Sequence, residues 1–129
     1  MLMALSPVGA EQLIEELGNT GTRGLGISQV VPYPWNASIP VVREYQKFSA
    51  KPGTYSYYGM ESYLMARTMV EGLKRISSKE PTREQLVNAL ESLNNVDFGG
   101  FKVNYSSSVR QGSSFVELTV LGPNGKLLK

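Results

Sequence analysis

Apolar residues recur at helical spacing in four stretches of the chain and predict four helices. Gly18 is expected to end the first helix, and Pro40 suits the first turn of the second. Thr82 and Gln85 form a capping-box pattern that opens the fourth. The predicted helices are residues 10–17, 39–50, 58–76 and 82–93.

Each predicted helix carries an apolar stripe that we expect to face a core. The stripes are Ala10, Leu13, Ile14 and Leu17; Val41, Val42, Tyr45 and Phe48; Tyr63, Ala66, Val70 and Leu73, with Met69 and Ile76 alongside; and Leu86, Ala89, Leu90 and Leu93.

Strand patterns lie between the first two helices and after the last one. Residues 25–31 form an apolar run ended by two prolines, which indicates a buried strand. Residues 101–105 alternate apolar and polar side chains, and residues 115–121 predict a further strand. A turn at residues 123–125 precedes a return strand at 126–129, and 55–57 is a further short candidate. This order predicts an α/β segment of a larger protein, because a complete doubly wound domain alternates strands with helices.

Composition excludes several classes of chemistry. The 129 residues contain no Cys and no His, which removes zinc sites, thiol nucleophiles and histidine-based acid–base catalysis. The net charge of +2 is too small, and the basic residues too scattered, to indicate a nucleic-acid partner. We therefore expect no catalytic residues, no metal, no cofactor and no enzyme activity. Residues 1–5 do not have the pattern of a signal peptide, so we expect any export signal to lie outside this chain.

Three tyrosines cluster immediately before the third predicted helix, in the stretch Tyr55–Gly59. Aromatic rings supply apolar contact together with a polar tip, and a helix N-terminus favours a bound carboxylate. Composition alone leaves two interpretations open. The tyrosines either contact a ligand or pack between helix and sheet.

Several motifs, in a constant order, resemble the later part of type I periplasmic binding proteins, and most closely the branched-chain amino-acid substrate-binding proteins of ABC transporters. No single motif carries the resemblance, which covers nearly the whole chain. The motifs are LSPVGA at 5–10, GISQVVPYPW at 26–35, PVVREY at 40–45, MESYLMA at 60–66, PTREQL at 81–86, GGF at 99–101 and GSSFVELTV at 112–120.

The resemblance implies a three-layer α/β fold with two lobes that close on a ligand held between them. It assigns residues 1–34 to the end of the second lobe and a crossing strand. Residues 35–95 would be returning helices of the first lobe, and 96–129 terminal strands. The implied chain is a C-terminal fragment of a two-lobe protein.

Two ligand-facing regions follow from the resemblance. The first is the loop Ser6–Gly9, where some amino-acid binders place an acidic residue; this sequence departs from that pattern with Val8. The second is an aromatic position before the long helix, which corresponds to Tyr57 or Tyr58. Glu61 lies one turn further on. The implied ligand-binding residues are Ser6, Val8, Gly9, Tyr57, Tyr58 and Glu61.

The resemblance implies a periplasmic substrate-binding component of an ABC importer, with a branched-chain amino acid or related small molecule as ligand and an ABC permease as partner. A ligand-sensing extracellular domain of a signalling receptor has the same fold and is the alternative. For the isolated segment, we expect an exposed apolar surface that favours a homodimer.

Overall fold

The computed structural model describes residues 2–49 and 51–129, and it has the α/β composition that the sequence predicts. The helices are α1 Ala10–Thr22, α2 Pro40–Phe48, α3 Tyr57–Lys74 and α4 Arg83–Glu91, and the strands are β1 Met3–Leu5, β2 Gly26–Gln29, β3 Val96–Asp97, β4 Lys102–Val103, β5 Glu117–Leu121 and β6 Leu127–Leu128. All four predicted helices are confirmed, with ends that differ by a few residues.

The chain divides into two compact units. The sheet unit comprises residues up to Val30 together with Val116–Lys129, and the helical unit is Val31–Phe115. Residues 96–115 group with the helices. The assignment of the units to lobes of a longer protein stays a prediction.

The sheet unit contains four strands in the order β1-β2-β5-β6. Strands β1 and β2 are parallel and joined through α1, whereas the β2–β5 and β5–β6 pairs are antiparallel. Helix α1 is broken at Gly18, where φ is 67° and ψ is 167°, so the predicted stop is a kink followed by one more turn. Strand β1 has only three residues, which is too short to show an alternating pattern, and the sequence did not predict it.

Helix α1 covers one face of this sheet. Its residues Ala10, Leu13 and Ile14 pack against Ile27 of β2 and Leu121 of β5. The polar side chains buried on the same face are paired: Gln29 Nε2 donates to Thr119 Oγ1 at 3.3 Å, and Thr119 Oγ1 donates to the carbonyl oxygen of Ile27. Strand residues of opposite parity point to the other face of the sheet.

The helical unit has the larger hydrophobic core. It is built by α2, α3, α4 and the β3–β4 hairpin, with buried residues Val31, Val41, Val42, Tyr45, Met60, Leu64, Leu93, Phe98, Phe101 and Val103. The predicted capping box is present, because Thr82 accepts from Gln85 N–H and Gln85 accepts from Thr82 N–H.

The hairpin turn closes against the start of α2. Gly99 and Gly100 have φ of 92° and 95°, and their N–H groups donate to Asp97 Oδ1 at 2.8 Å. The Gly99 carbonyl accepts from Val41 N–H at 3.0 Å. A Cβ at Gly99 would lie 2.9 Å from the Pro40 side chain, so this contact requires glycine.

Some residues of the predicted apolar stripes are exposed and not buried in a core. The buried face of α3 is Met60 and Leu64, while Ala66, Val70 and Leu73 of the predicted stripe are exposed. At the ends of two other helices, Leu17 is 57% exposed and Phe48 is 77% exposed. Residues 55–57 form no strand, because Ser56 caps α3. Helix periodicity identifies candidate faces, and packing partners decide which of them is buried.

Candidate functional site: an aromatic cluster at the start of α3

The segment Pro32–Trp35 holds two aromatic side chains on a rigid support. Pro32 and Pro34 are fully buried, whereas Tyr33 is half-buried and Trp35 is 37% exposed. Proline restricts φ, and the segment forms a turn in which Asn36 N–H donates to the Tyr33 carbonyl at 3.0 Å. The Pro34 carbonyl also accepts from Gln46 Nε2 at 2.8 Å. The two rings thus remain partly exposed on a turn whose prolines are buried.

Tyr57, the first residue of α3, completes the cluster. Its ring centroid lies 6.3 Å from that of Tyr33 and 6.2 Å from that of Trp35, the latter in an edge-to-face arrangement. Tyr33 and Trp35 are 5.0 Å apart. Tyr57 also packs against the core of the helical unit. Both interpretations of this tyrosine, core packing and aromatic surface, therefore have structural support.

The backbone at the start of α3 is closely held. Ser56 Oγ accepts from Gly59 N–H at 3.0 Å, and Ser56 N–H donates to the buried Tyr45 hydroxyl at 3.2 Å. A Cβ at Gly59 would lie 2.3 Å from that hydroxyl oxygen. These contacts hold Tyr57 at a defined position relative to the core.

Two further predicted residues lie on the same helix. Tyr58 is 42% exposed and Glu61 is half-buried. Residues three and four apart share a helix face, so Glu61 lies beside both tyrosines. Within residues 2–49 and 51–129, Glu61 makes no ion pair. The cluster thus combines aromatic rings with one acidic group nearby.

The remaining predicted residues belong to the sheet unit. Ser6 and Val8 lie in a 3₁₀ turn between β1 and α1, and Gly9 follows with φ of 71° as the N-cap of α1. Val8 is 44% exposed, Ser6 is half-buried and Gly9 is buried. The role of Ser6, Val8 and Gly9 stays a prediction.

Sequence reasoning missed Tyr33 and Trp35 as site residues. They enter the sequence analysis only in the family motif at 26–35. The alternation of proline and aromatic residues at 32–35 was the available signal, because proline restricts the backbone that carries the two rings. Their proximity to Tyr57, 22 positions after Trp35, is a tertiary contact that no local pattern contains.

An open pocket of about 300 Å³ lies elsewhere in the helical unit, beside the hairpin. Its lining includes Asp97, Lys102 and Ser114. The Asp97 carboxylate is already used by the backbone N–H groups of Gly100 and Gly99, which lower its pKa below the ordinary value. Phe115 is the one aromatic side chain that lines this pocket, whereas three aromatic rings meet at the start of α3. The cluster at α3 is therefore the better candidate site.

Two other kinds of site were sought over the described part of the chain. No set of three or more acidic, His or Cys residues there could hold a metal ion. No helix there is long and apolar enough to span a membrane.

The family model for "Periplasmic binding protein" matches residues 1–122. The chain belongs to the periplasmic binding protein family. Proteins of this family bind ligands and are not enzymes, and the family is periplasmic or extracellular. No curated protein is significantly similar to the chain.

Solved structures from three organisms share the fold over nearly the whole chain. A substrate-binding periplasmic protein from Ralstonia solanacearum is 34% identical over 98% of this chain, with a TM-score of 0.84. An extracellular ligand-binding receptor from Verminephrobacter eiseniae is 33% identical over 99%, with a TM-score of 0.83. A "possible leucine/isoleucine/valine-binding protein" from Rhodopirellula baltica is 30% identical over 98%, also with a TM-score of 0.83.

This member of the periplasmic binding protein family is short beside those relatives. It covers 37% of the Ralstonia and Verminephrobacter chains and 35% of the Rhodopirellula chain. It therefore contains part of the fold that they contain.

Proposed function

We propose that the complete protein is the substrate-binding component of an ABC importer for a branched-chain amino acid or a related small molecule. Family membership supports a ligand-binding role. The names of the Ralstonia and Rhodopirellula proteins support the substrate-binding role and the class of ligand. The proposal includes a periplasmic location and an ABC permease as partner.

The observation that carries the proposal is the cluster of Tyr33, Trp35 and Tyr57 at the start of α3. Ligand sites of small molecules are lined mainly by apolar and aromatic side chains with a few polar groups. Trp35 keeps about a third of its surface exposed although buried prolines hold it in place. A rigid, exposed aromatic wall suits the aliphatic side chain of an amino acid.

A polar end of the ligand needs a charged or hydrogen-bonding partner. Glu61 carries the acidic group nearest in sequence to the cluster, and we assign it to a ligand ammonium or amide N–H group. The exposed Tyr58 would cover the apolar part of the ligand, and its hydroxyl would reach polar atoms. Ser6, Val8 and Gly9 of the sheet unit are proposed separately as ligand-contacting residues.

A ligand-sensing extracellular domain of a signalling receptor is the second candidate. The Verminephrobacter protein, which is named an extracellular ligand-binding receptor, favours it. The coding sequence that flanks this segment separates the two candidates. A signal peptide without other domains supports the importer component, whereas a membrane span followed by a signalling domain supports the receptor.

Calorimetric titration of the complete protein with leucine, isoleucine and valine tests the proposed site. We expect Trp35→Ala and Tyr57→Ala each to weaken binding on the order of thirtyfold, as loss of about 2 kcal/mol from an aromatic anchor requires. Tyr57→Ala should also lower the melting temperature by several degrees, because Tyr57 packs against the core. Tyr58→Ala should weaken binding with little change in melting temperature, since Tyr58 is exposed.

Phe48→Ala is the matched control for these variants. Phe48 is an exposed aromatic residue of the same unit that stacks on Tyr63, outside the cluster. It should leave ligand affinity within about twofold of the wild-type value. Unchanged affinity in the Trp35, Tyr57 and Tyr58 variants alike would show that the site lies elsewhere. The 129-residue chain itself should bind these amino acids negligibly, with the fluorescence of Trp35 as the readout.

A further inference from the structure

The turn between β5 and β6 contains an asparagine that is followed directly by glycine. Asn124 and Gly125 both have left-handed backbone conformations, with φ of 61° and 71°. Glycine adopts this conformation freely, and asparagine adopts it more readily than most other residues. No other asparagine in the sequence is followed by glycine.

This turn is exposed and lightly held. Asn124 is exposed, and within residues 2–49 and 51–129 its side chain makes no hydrogen bond. Strand β6 has only two residues and pairs with β5 alone, at the edge of the sheet. Short edge elements open locally at little cost in free energy. The Asn124 amide is therefore free to turn toward the neighbouring backbone.

Packing against α1 requires glycine at the second position. A Cβ at Gly125 would lie 2.9 Å from Asn19 Oδ1 and 2.9 Å from Ile14 Cδ1. Both residues belong to α1, in the same unit as the turn. Because Gly125 has no Cβ, its backbone nitrogen is also less shielded than that of any other residue. The contact that requires glycine thus keeps an unshielded nitrogen next to the Asn124 amide.

We infer that Asn124 is a site of spontaneous deamidation. After rotation about the Asn124 Cα–C bond, whose ψ is 28° in the turn, the Gly125 backbone nitrogen attacks Asn124 Cγ. A new N–C bond closes a cyclic succinimide, the Cγ–Nδ2 bond breaks, and Nδ2 leaves as ammonia with the proton of the Gly125 N–H group. Water then opens the succinimide. Attack at Cγ gives aspartate, and attack at the backbone carbonyl carbon gives isoaspartate, in which the main chain runs through Cγ.

The reaction changes the contact between the turn and α1. Isoaspartate lengthens the main chain by one methylene group immediately before Gly125, which lies against Ile14 and Asn19. The turn must then shift on α1, so protein that has aged in solution should melt at a lower temperature than fresh protein. This inference does not depend on the proposed ligand site.

Incubation in mildly alkaline buffer, followed by trypsin digestion and mass spectrometry, measures the reaction. The peptide 111–126 contains Asn124, and the peptide 84–102 contains Asn95 as an internal control. Asn95 is also exposed with a left-handed φ of 51°, but Val96 follows it. Asn124 should deamidate at least about tenfold faster, because the branched Val96 side chain shields the attacking nitrogen. The rate should increase with pH, since the attacking nitrogen must lose its proton.

Asn124→Gly is the matched control variant. Glycine accepts the left-handed φ and has no amide to lose, so its peptide 111–126 should not deamidate at this position. The melting temperature of this variant should stay constant while that of the wild-type protein decreases. An equal decrease in both proteins would show that the ageing has another cause and would contradict the effect on the turn.

Comparison with the protein unfolded in urea tests the contribution of the structure. The rate at Asn124 in the folded protein should lie within about tenfold of the rate in urea, because the turn opens locally. Stronger protection on folding overturns the inference, since the turn would then shield the pair. So does a rate at Asn124 that is no greater than the rate at Asn95.

Discussion

The two units bury their apolar residues in different ways. In the helical unit, three helices and a hairpin surround one core, which contains fully buried Met60 and Leu93. In the sheet unit, a single helix packs on one face of a sheet, so fully buried Ile27 and Leu121 lie on one side while Leu5 and Leu118 are exposed on the other.

This difference follows from the different side-chain geometry of strands and helices. A strand alternates its side chains between two faces, so a helix on one side can bury only every second residue. Helices packed around a hairpin bring apolar faces toward a common centre from several directions. The helical unit can therefore form a core within the described residues, whereas the sheet unit leaves half of its apolar strand residues exposed.

The largest effect that separates the units is expected from side-chain truncation. Leu93→Ala should lower the free energy of unfolding by about 2–5 kcal/mol, because it removes a fully buried side chain and leaves a cavity. Leu118→Ala should change it by less than about 0.5 kcal/mol, because Leu118 is exposed on the uncovered face. Urea unfolding measures both. A large loss for Leu118→Ala would mean that the face is covered within the chain and would contradict the comparison.

A smaller effect is expected where glycine packs closely. Gly99 and Gly24 both have left-handed φ, at 92° and 80°. A Cβ at Gly99 would meet Pro40 at 2.9 Å, whereas a Cβ at Gly24 in the sheet unit meets nothing within 4 Å. Gly24→Ala should cost about 1 kcal/mol from backbone conformation alone. Gly99→Ala should cost about 1–2 kcal/mol more, because the side chain must displace the start of α2.

Thermal unfolding of the Gly24→Ala and Gly99→Ala variants, each compared with the wild-type protein, measures the two losses of stability. Equal losses for Gly24→Ala and Gly99→Ala would show that the turn relaxes without strain. In that case, the hairpin would not be held against α2 as closely as the distances indicate.

The smallest expected effect depends on pH and concerns the same hairpin. Hydrogen bonds from Gly100 and Gly99 lower the pKa of Asp97 in the folded protein below its ordinary value of 3.8. A lowered pKa stabilises the fold above the unfolded-state value, and this contribution is lost as pH falls through the folded-state value. The wild-type melting temperature should therefore decrease below about pH 4.

Asp97→Asn keeps an oxygen acceptor but does not titrate, so its melting temperature should decrease less over the same range. Thermal unfolding monitored by the fluorescence of Trp35, which is in the same unit as the hairpin, measures this difference. Parallel curves for the two proteins would show that the carboxylate does not stabilise the turn.

Much of the local structure could be predicted from local signals. Periodicity located all four helices, the capping box placed the start of α4, and alternation at 101–105 identified Phe101 and Val103 as buried. Strands β1 and β3 were missed, because two or three residues are too few to show a period. The candidate site was predicted in part: Tyr57, Tyr58 and Glu61 follow from position before a helix and from family resemblance, and their role stays a prediction.

The sequence by itself determined the four helices and the family, since these depend on local patterns and on motifs in a constant order. Only the tertiary structure decided which side of α3 is buried, which face of the sheet is uncovered, and that Tyr33 and Trp35 meet Tyr57. The physical reason is that each of these depends on a partner distant in sequence. Periodicity marks Val70 and Leu73 as apolar as clearly as Met60 and Leu64, and only the position of the other elements distinguishes the buried pair from the exposed one.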